Sequence, residues 1–398
     1  MTPNNLIDKA AIYTYARFAK PKSAKRTDAV AILFFGMIGD AVMFLDALAT
    51  YRQFYVEEQG RLLVVFCRNE ARKLFCEAGL DDGILFEELH RVPLINDFRY
   101  FRTRVEIFNE YGFSLLLHVR SYNALEDLFI HVLDCPVKVC SRGSDVGDRE
   151  KPMYRCFIND TYDKVVFPDD GEDQLTRYGL LLKDLLLPTY KSKVYELSSR
   201  DAPYGLSKHS YILISPGASE SCKAWPAEKF AAISDYVIKE HSLPVILSGT
   251  KDDLALGDEI IAASNLSYGL VNCIGKTSYS EWFGLIGNAA LVITNESGAV
   301  HVAAAMKTPC VCIGAQEFGD TFLPYRPELV RLNDQLPLTV RSEKLSCYYC
   351  KRRKQRMDER GNVCYMRTGT FPCVENISYS QVQDAVQSLL DCPIDARA

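Results

Sequence analysis

Strand-length apolar runs alternate with helical stretches along most of this chain, and the alternation starts twice. Residues 29–35 (AVAILFF) read as a buried strand, followed by Gly36-Met37-Ile38-Gly39-Asp40 and a helical stretch to about residue 55. A strand at 61–66 and a helix at 70–78 follow, and residues 113–119 and 136–140 repeat the pattern. The second series is more regular. Strands fit at 211–215, 244–248, 270–273, 290–294 and 309–313, and helices at 226–240, 252–264, 279–287 and 298–306. Strands that alternate with helices imply a parallel sheet with helices on both faces. The fold class is therefore α/β, with two Rossmann-like domains in which ligands bind outside the carboxyl ends of the strands.

Between the two series the pattern weakens. Residues 149–210 hold Pro152, Pro168, Pro188 and Pro203 around one strongly helical segment at 172–187, which predicts a hinge region with a linker near 190–208. A length of 398 residues suits two cores better than one. The expected parts are an extension over 1–28, a domain over 29–200, a domain over 201–377 and a terminal segment over 378–398. In that last segment Ser378 and Gln381 form a capping box for a helix expected to pack back on the N-terminal domain.

Hydrophobic residues at 48% and charged residues at 24% describe an ordinary globular chain, and a net charge of −5 argues against general nucleic-acid binding. The first 28 residues are rich in Lys and Arg with no apolar stretch long enough for a signal peptide, and no run approaches the ~18 apolar residues of a spanning helix. The expectation is a cytosolic protein, with room for peripheral contact at an inner-membrane surface. Cys67, Cys135, Cys273, Cys310 and Cys312 sit singly among apolar residues and read as small core residues.

Three loops carry candidate chemistry. The glycines of the 36–40 loop allow close approach of a ligand to backbone, and Asp40 lands at a helix start. Asp40 also suits a simple helix cap. The loop Ser215-Pro216-Gly217-Ala218-Ser219, followed by Lys223-Ala224-Trp225-Pro226, combines hydroxyls, amides and an ammonium suited to a phosphate oxygen, although a solvated lysine fits as well. Thr294-Asn295-Glu296-Ser297-Gly298-Ala299-Val300-His301 again passes from strand to helix, where unpaired N–H groups favour an anion and Gly298 permits close approach. Glu296 or Ser297 also suits a cap, and His301 a satisfied core histidine. Two phosphate-suited loops in one domain favour a diphosphate ligand.

Near the C-terminus, Cys347, Cys350, Cys364 and Cys373 place four thiols within 27 residues, the number a tetrahedral thiolate site requires. A structural zinc or iron ion and four free cysteines both fit these loose intervals. The basic run Lys351-Arg352-Arg353-Lys354-Gln355-Arg356 reads as a solvated loop or as a contact for an anionic acceptor or membrane surface.

The stretches ILFFGMIGDAVMFLDAL, YDKVVFPDDGEDQLTRYGLLLKDLL, ISPGASESCKAWPAEKFAAI, LSGTKDDLALGDEI and VITNESGAVHVAAAMKTPCVCI resemble, in order, glycosyltransferase family 9, the ADP-heptose:lipopolysaccharide heptosyltransferases. The resemblance runs from about residue 29 to 314 and weakly on into the last helix. It implies a GT-B fold, two Rossmann-like domains facing across a cleft, with acceptor bound by the first and nucleotide sugar by the second. It also implies an inverting, metal-independent transfer from ADP-heptose to a lipopolysaccharide-core acceptor. Asp40 falls on the family's proposed base. Ser219 and Lys223 fall on donor-phosphate contacts, Asp252 or Asp253 near the ribose contact, and Ser297, Gly298 and His301 on the pyrophosphate turn. Gly39 falls on the acceptor side, and Arg120, after the third strand of the first domain, suits a contact for an anionic acceptor or a plain surface arginine. Two departures stand out: Asp46 replaces the usual proline and adds a carboxylate near the acceptor side, and Glu296 replaces the usual aspartate. Residues 1–28 lie outside the resemblance. Related autotransporter-modifying enzymes carry a four-cysteine iron site, which raises a protein acceptor. A non-catalytic nucleotide- or glycan-binding module is the rival from another class, and a nicotinamide dehydrogenase is disfavoured by the missing third glycine.

Overall fold

A computed structural model describes residues 3–19, 25–121, 124–142, 161–169, 171–219, 223–316, 321–329, 336–345 and 372–391. It divides into two compact units, 1–192 and 193–398. The first unit opens with helix α1 (Pro3–Phe18), then strand β1 (Val30–Leu33), α2 (Ile38–Arg52) and β2 (Leu63–Cys67). Next come α3 (Asn69–Glu77), β3 (Ile84–Glu88), α4 (Arg91–Asn96), α5 (Phe98–Tyr111) and β4 (Leu115–Ser121). The unit closes with α6 (Ala124–His131), β5 (Lys138–Arg142), β6 (Lys164–Val166), α7 (Gln174–Tyr178) and α8 (Leu180–Leu185).

Its sheet has the order β3-β2-β1-β4-β5-β6, every pairing parallel. The β1 run Val30–Leu33 is buried along its whole length, as a strand covered on both faces must be. Strand order reverses between β1 and β4, which pair with Leu33 beside His118, so the loops after these two strands flank the crevice where such sheets take ligands.

The second unit holds β7 (Ile212–Ser215), α9 (Ala227–His241), β8 (Val245–Leu247), α10 (Leu254–Ala263), β9 (Leu270–Asn272) and α11 (Tyr279–Asn288). It continues with β10 (Leu291–Asn295), α12 (Gly298–Ala305), β11 (Cys310–Ile313), β12 (Leu338–Val340), α13 (Pro372–Glu375) and α14 (Tyr379–Leu390). Its parallel sheet runs β12-β11-β10-β7-β8-β9, with the reversal between β7 and β10. Ser215 pairs with Thr294 at that point, so the loops that follow both strands start side by side.

Several segments depart from expectation. The extension 1–28 contains α1, whose Ile12 and Ala16 are buried in the first core with Phe101, Val105 and Phe129. Tyr15 meets Phe98 and Phe101 edge-on, and the Asp8 carboxylate accepts from the Phe98 N–H at 3.3 Å. We expect Ile12→Ala to cost about 2 kcal/mol, near the low end for a buried Ile-to-Ala change, read as a shifted denaturant midpoint at constant slope. The helix expected at 172–187 is two short helices hinged at Gly179. The returning chain explains the break, because a Cβ at Gly179 would lie 2.4 Å from both Ser192 Oγ and the Tyr190 ring. The boundary between units falls at 192/193 rather than at 200.

The terminal helix α14 belongs to the second unit, not to the first as its sequence predicts. Val382, Ala385, Val386 and Leu389, at the spacing of one helix face, are buried in the second core. The indole N–H of Trp225 donates to the Ile377 carbonyl at 3.0 Å, and Lys229 Nζ donates to the same carbonyl at 2.9 Å, which pins the turn before α14. Burying aliphatic side chains of this size is worth roughly 1.5–3 kcal/mol each, enough to hold a twelve-residue helix in place. The cysteines read as core residues, Cys67, Cys135, Cys273, Cys310 and Cys312, are all buried, and burial pushes their thiols up. Among the described residues, no helix is long and apolar enough to cross a membrane.

Candidate functional site

In the first unit the 36–40 loop follows β1 directly. Gly36 is obligatory there, since a Cβ would lie 2.4 Å from the Phe34 ring and 2.5 Å from Asp40 Cβ. The chain then enters α2, with Gly39 and Asp40 half-buried in its first turn. Asp40 Oδ2 accepts from the Met37 N–H at 3.1 Å, which satisfies a helix-start donor. Met37 is the N-cap and Asp40 stands at the third helical position, reaching back to it, so Asp40 serves the helix start without being its N-cap. Its other oxygen, Oδ1, accepts from Arg120 Nη1 at 3.1 Å and from the Tyr178 hydroxyl at 2.8 Å. Arg120 lies near the end of β4 and Asp40 in the helix that follows β1, so the two elements at the reversal supply the guanidinium and the carboxylate.

Asp46 is not part of this group. Six residues along α2, roughly 240° around the helix, it is 6% exposed and accepts from the Tyr190 hydroxyl at 2.6 Å. Burial, with the Asp46 charge beside it, pushes the Tyr190 hydroxyl well up, so it stays a donor. Its neighbourhood is interior rather than the acceptor side. A second buried polar set lies at the end of β4. The Tyr162 hydroxyl donates to Asp127 at 2.7 Å and sits 2.8 Å from His118 Nδ1, which consequently carries the proton. Arg91 pairs with Glu126 at 2.6 Å.

In the second unit the two loops are stitched together by residues to which the sequence reading assigned no role. Thr294 Oγ1 donates to the Ser215 carbonyl at 2.9 Å, the Asn295 carboxamide donates to the Pro216 carbonyl at 2.6 Å, and its oxygen accepts from the Trp225 N–H at 3.2 Å. Lys223 is 9% exposed, and its Nζ donates to Glu296 Oε1 at 3.0 Å while lying 5.8 Å from the Phe322 ring centre. Ser297 caps α12, its oxygen accepting from the Ala299 N–H at 3.3 Å and lying 3.1 Å from Thr294 Oγ1. Gly298 is the first residue of that helix. His301, one turn on, is buried and hydrogen-bonded through Nδ1 to the Tyr325 hydroxyl.

Asp253 lies beneath the phosphate-suited loop. A Cβ at Gly217 would come within 2.6 Å of its carboxylate, which accepts from the Thr250 N–H at 2.8 Å. Asp252 and Ser219 are exposed at the same end of the sheet. The structure thus brings together Gly217, Lys223, Asp253, Glu296, Ser297 and Gly298 around one strand reversal. Cys347, Cys350, Cys364 and the basic run 351–356 lie outside the described residues, and Cys373 is half-buried at the start of α13.

Known proteins share this architecture. The solved glycosyl transferase family 9 protein of Veillonella parvula superposes with a TM-score of 0.66 at 16% identity, covering 92% of this chain and 99% of that one. The ADP-heptose lipopolysaccharide heptosyltransferase II of Escherichia coli gives 0.64 at 18% identity, covering 92% and 98%. The fold is GT-B. In sequence, 127 residues are 34% identical to lipooligosaccharide heptosyltransferase 2 of Haemophilus influenzae, 31% of this chain and 35% of that protein. The chain thus spans about a third of the length of that curated relative. The family described as Glycosyltransferase family 9 (heptosyltransferase) matches residues 163–358, a stretch that contains both loops of the second switch point. Just under half of the chain, residues 163–358, is thus similar to glycosyltransferase family 9.

Proposed function

We propose that this chain is an inverting glycosyltransferase that moves a heptose from ADP-heptose to a lipopolysaccharide-core acceptor. The observation that carries the reading is the second strand reversal. There a buried ammonium, Lys223, is held 3.0 Å from Glu296, two residues before a serine-capped helix N-terminus at Ser297-Gly298. The helix N-terminus is a fixed source of positive potential suited to a diphosphate, and the ammonium, its charge balanced by Glu296, has further N–H donors to offer it. Relatives named as heptosyltransferases, and a solved Escherichia coli relative described with ADP, support the nucleotide and the sugar.

In this reading Asp40 removes the proton from an acceptor hydroxyl as its oxygen attacks the anomeric carbon, and ADP leaves from the opposite face. Negative charge grows on the departing diphosphate, where Lys223, the Ser219 and Ser297 hydroxyls and the α12 N–H groups stabilise it. Glu296 offers its carboxylate to sugar hydroxyls, Asp253 or its neighbour Asp252 to the ribose, and Arg120 to an anionic acceptor group. The spacing of Cys347, Cys350, Cys364 and Cys373 supports a structural zinc or iron ion, which metal analysis of the purified protein would detect.

The donor is tested by thermal shift with ADP, UDP, GDP and their sugar conjugates. Ligand at 100 times its Kd stabilises a fold by about 2.7 kcal/mol, so ADP and ADP-heptose should raise Tm clearly. A response confined to UDP would overturn the assignment of ADP-heptose.

A further inference from the structure

We infer that Tyr178 is a positioning residue for Asp40, fixing the orientation of the carboxylate that takes the acceptor proton; this rests on the base role proposed above. Two side-chain donors converge on one oxygen of Asp40: the Tyr178 hydroxyl at 2.8 Å and Arg120 Nη1 at 3.1 Å. The Met37 N–H holds the other oxygen at 3.1 Å. A carboxylate gripped at both oxygens cannot rotate about its terminal bond, and a base held in a fixed plane avoids paying for that order at the moment of proton transfer.

Tyr178 is itself immobile. It is 1% exposed, with its ring 5.8 Å from Phe34 and 5.5 Å from Phe44, and the Arg120 guanidinium lies 5.9 Å from the ring centre. A buried tyrosine needs a partner for its hydroxyl. Here the partner is the carboxylate of the α2 first turn, 138 residues away in sequence. Helix α7 exists to deliver this ring: Asp173 caps it, accepting from the Thr176 N–H at 2.9 Å, and Tyr178 is its last residue. Unlike Arg120, whose positive charge also suits an anionic acceptor, Tyr178 has its hydroxyl on Asp40 and its ring in the aromatic stack.

The test is Tyr178→Phe, which keeps the ring and removes the hydroxyl. Transfer is measured from ADP-heptose to heptose-deficient lipopolysaccharide. We expect kcat to fall about 10- to 100-fold, with the ADP dissociation constant and Tm close to wild type. In an Asp40→Asn background the same change should cost less than twofold, because there is no longer a base to orient. If Asp40→Asn transfer falls below detection, the kinetic split of Tyr178→Phe decides: a loss in kcat at unchanged acceptor KM carries the inference, and a loss borne by KM alone overturns it. A Tyr178→Phe enzyme with wild-type kcat overturns the inference. So does an undiminished loss in the Asp40→Asn variant. Retained transfer by Asp40→Asn alone would instead remove the base reading on which the inference stands.

Discussion

Asp40→Asn is expected to abolish most transfer while leaving nucleotide binding intact. The substitution keeps the size of the side chain and an oxygen that can still accept from the Tyr178 hydroxyl and Arg120. It removes the lone-pair basicity that a proton acceptor needs. General-base groups contribute about 10²–10⁴ in rate, so a loss of about 10³-fold in kcat is the expected size. Asp40 lies in the first unit and the nucleotide loops in the second, so thermal stabilisation by ADP should be unchanged. The measurement is single-turnover transfer alongside the ADP-induced shift in Tm. Near-wild-type transfer would leave Asp40 as a helix-start cap and strip the mechanism of its base. A lost ADP response would point instead to a general folding defect.

Legibility in the sequence followed chain distance. The strands and helices that carry the loops stand within a few residues of where hydrophobic periodicity puts them, because a sheet covered on both faces must be written as apolar runs. Asp40, Lys223, Ser297 and Gly298 are readable for a related reason: each lies in the segment that joins a strand to the next helix or opens that helix, where glycine, hydroxyl and charge form a local pattern. What escaped was contact between distant segments. Nothing near Tyr178 announces Asp40, and nothing near Asn295 announces Pro216 and Trp225. Asp46 shows the converse failure. Its place where the resembling family has a proline suggests a carboxylate near the acceptor side, but helical rotation turns it towards Tyr190. Helix α14 failed similarly: its apolar face is plain in the sequence, but which core receives that face depends on Trp225 and Lys229, about 150 residues earlier.

Lys223→Met should have two separable consequences, one for stability and one for chemistry. The ammonium is paired with Glu296 at 3.0 Å, and the two side chains are only 11% and 6% exposed. Removing one member of a buried pair leaves the other charge uncompensated, at a cost of about 3–5 kcal/mol. Adding Glu296→Gln removes that orphaned charge, so the double variant should recover much of the lost Tm. Transfer should not recover with it. If Lys223 stabilises the leaving diphosphate, its loss costs about 10²–10³-fold in kcat, the size seen when one donor to a developing charge is removed. Stability restored without activity would separate the two roles of the lysine. Recovery of both together would show that Lys223 serves only to neutralise Glu296, and the diphosphate would then have to be held by the α12 N-terminus and the Ser215–Ser219 loop alone.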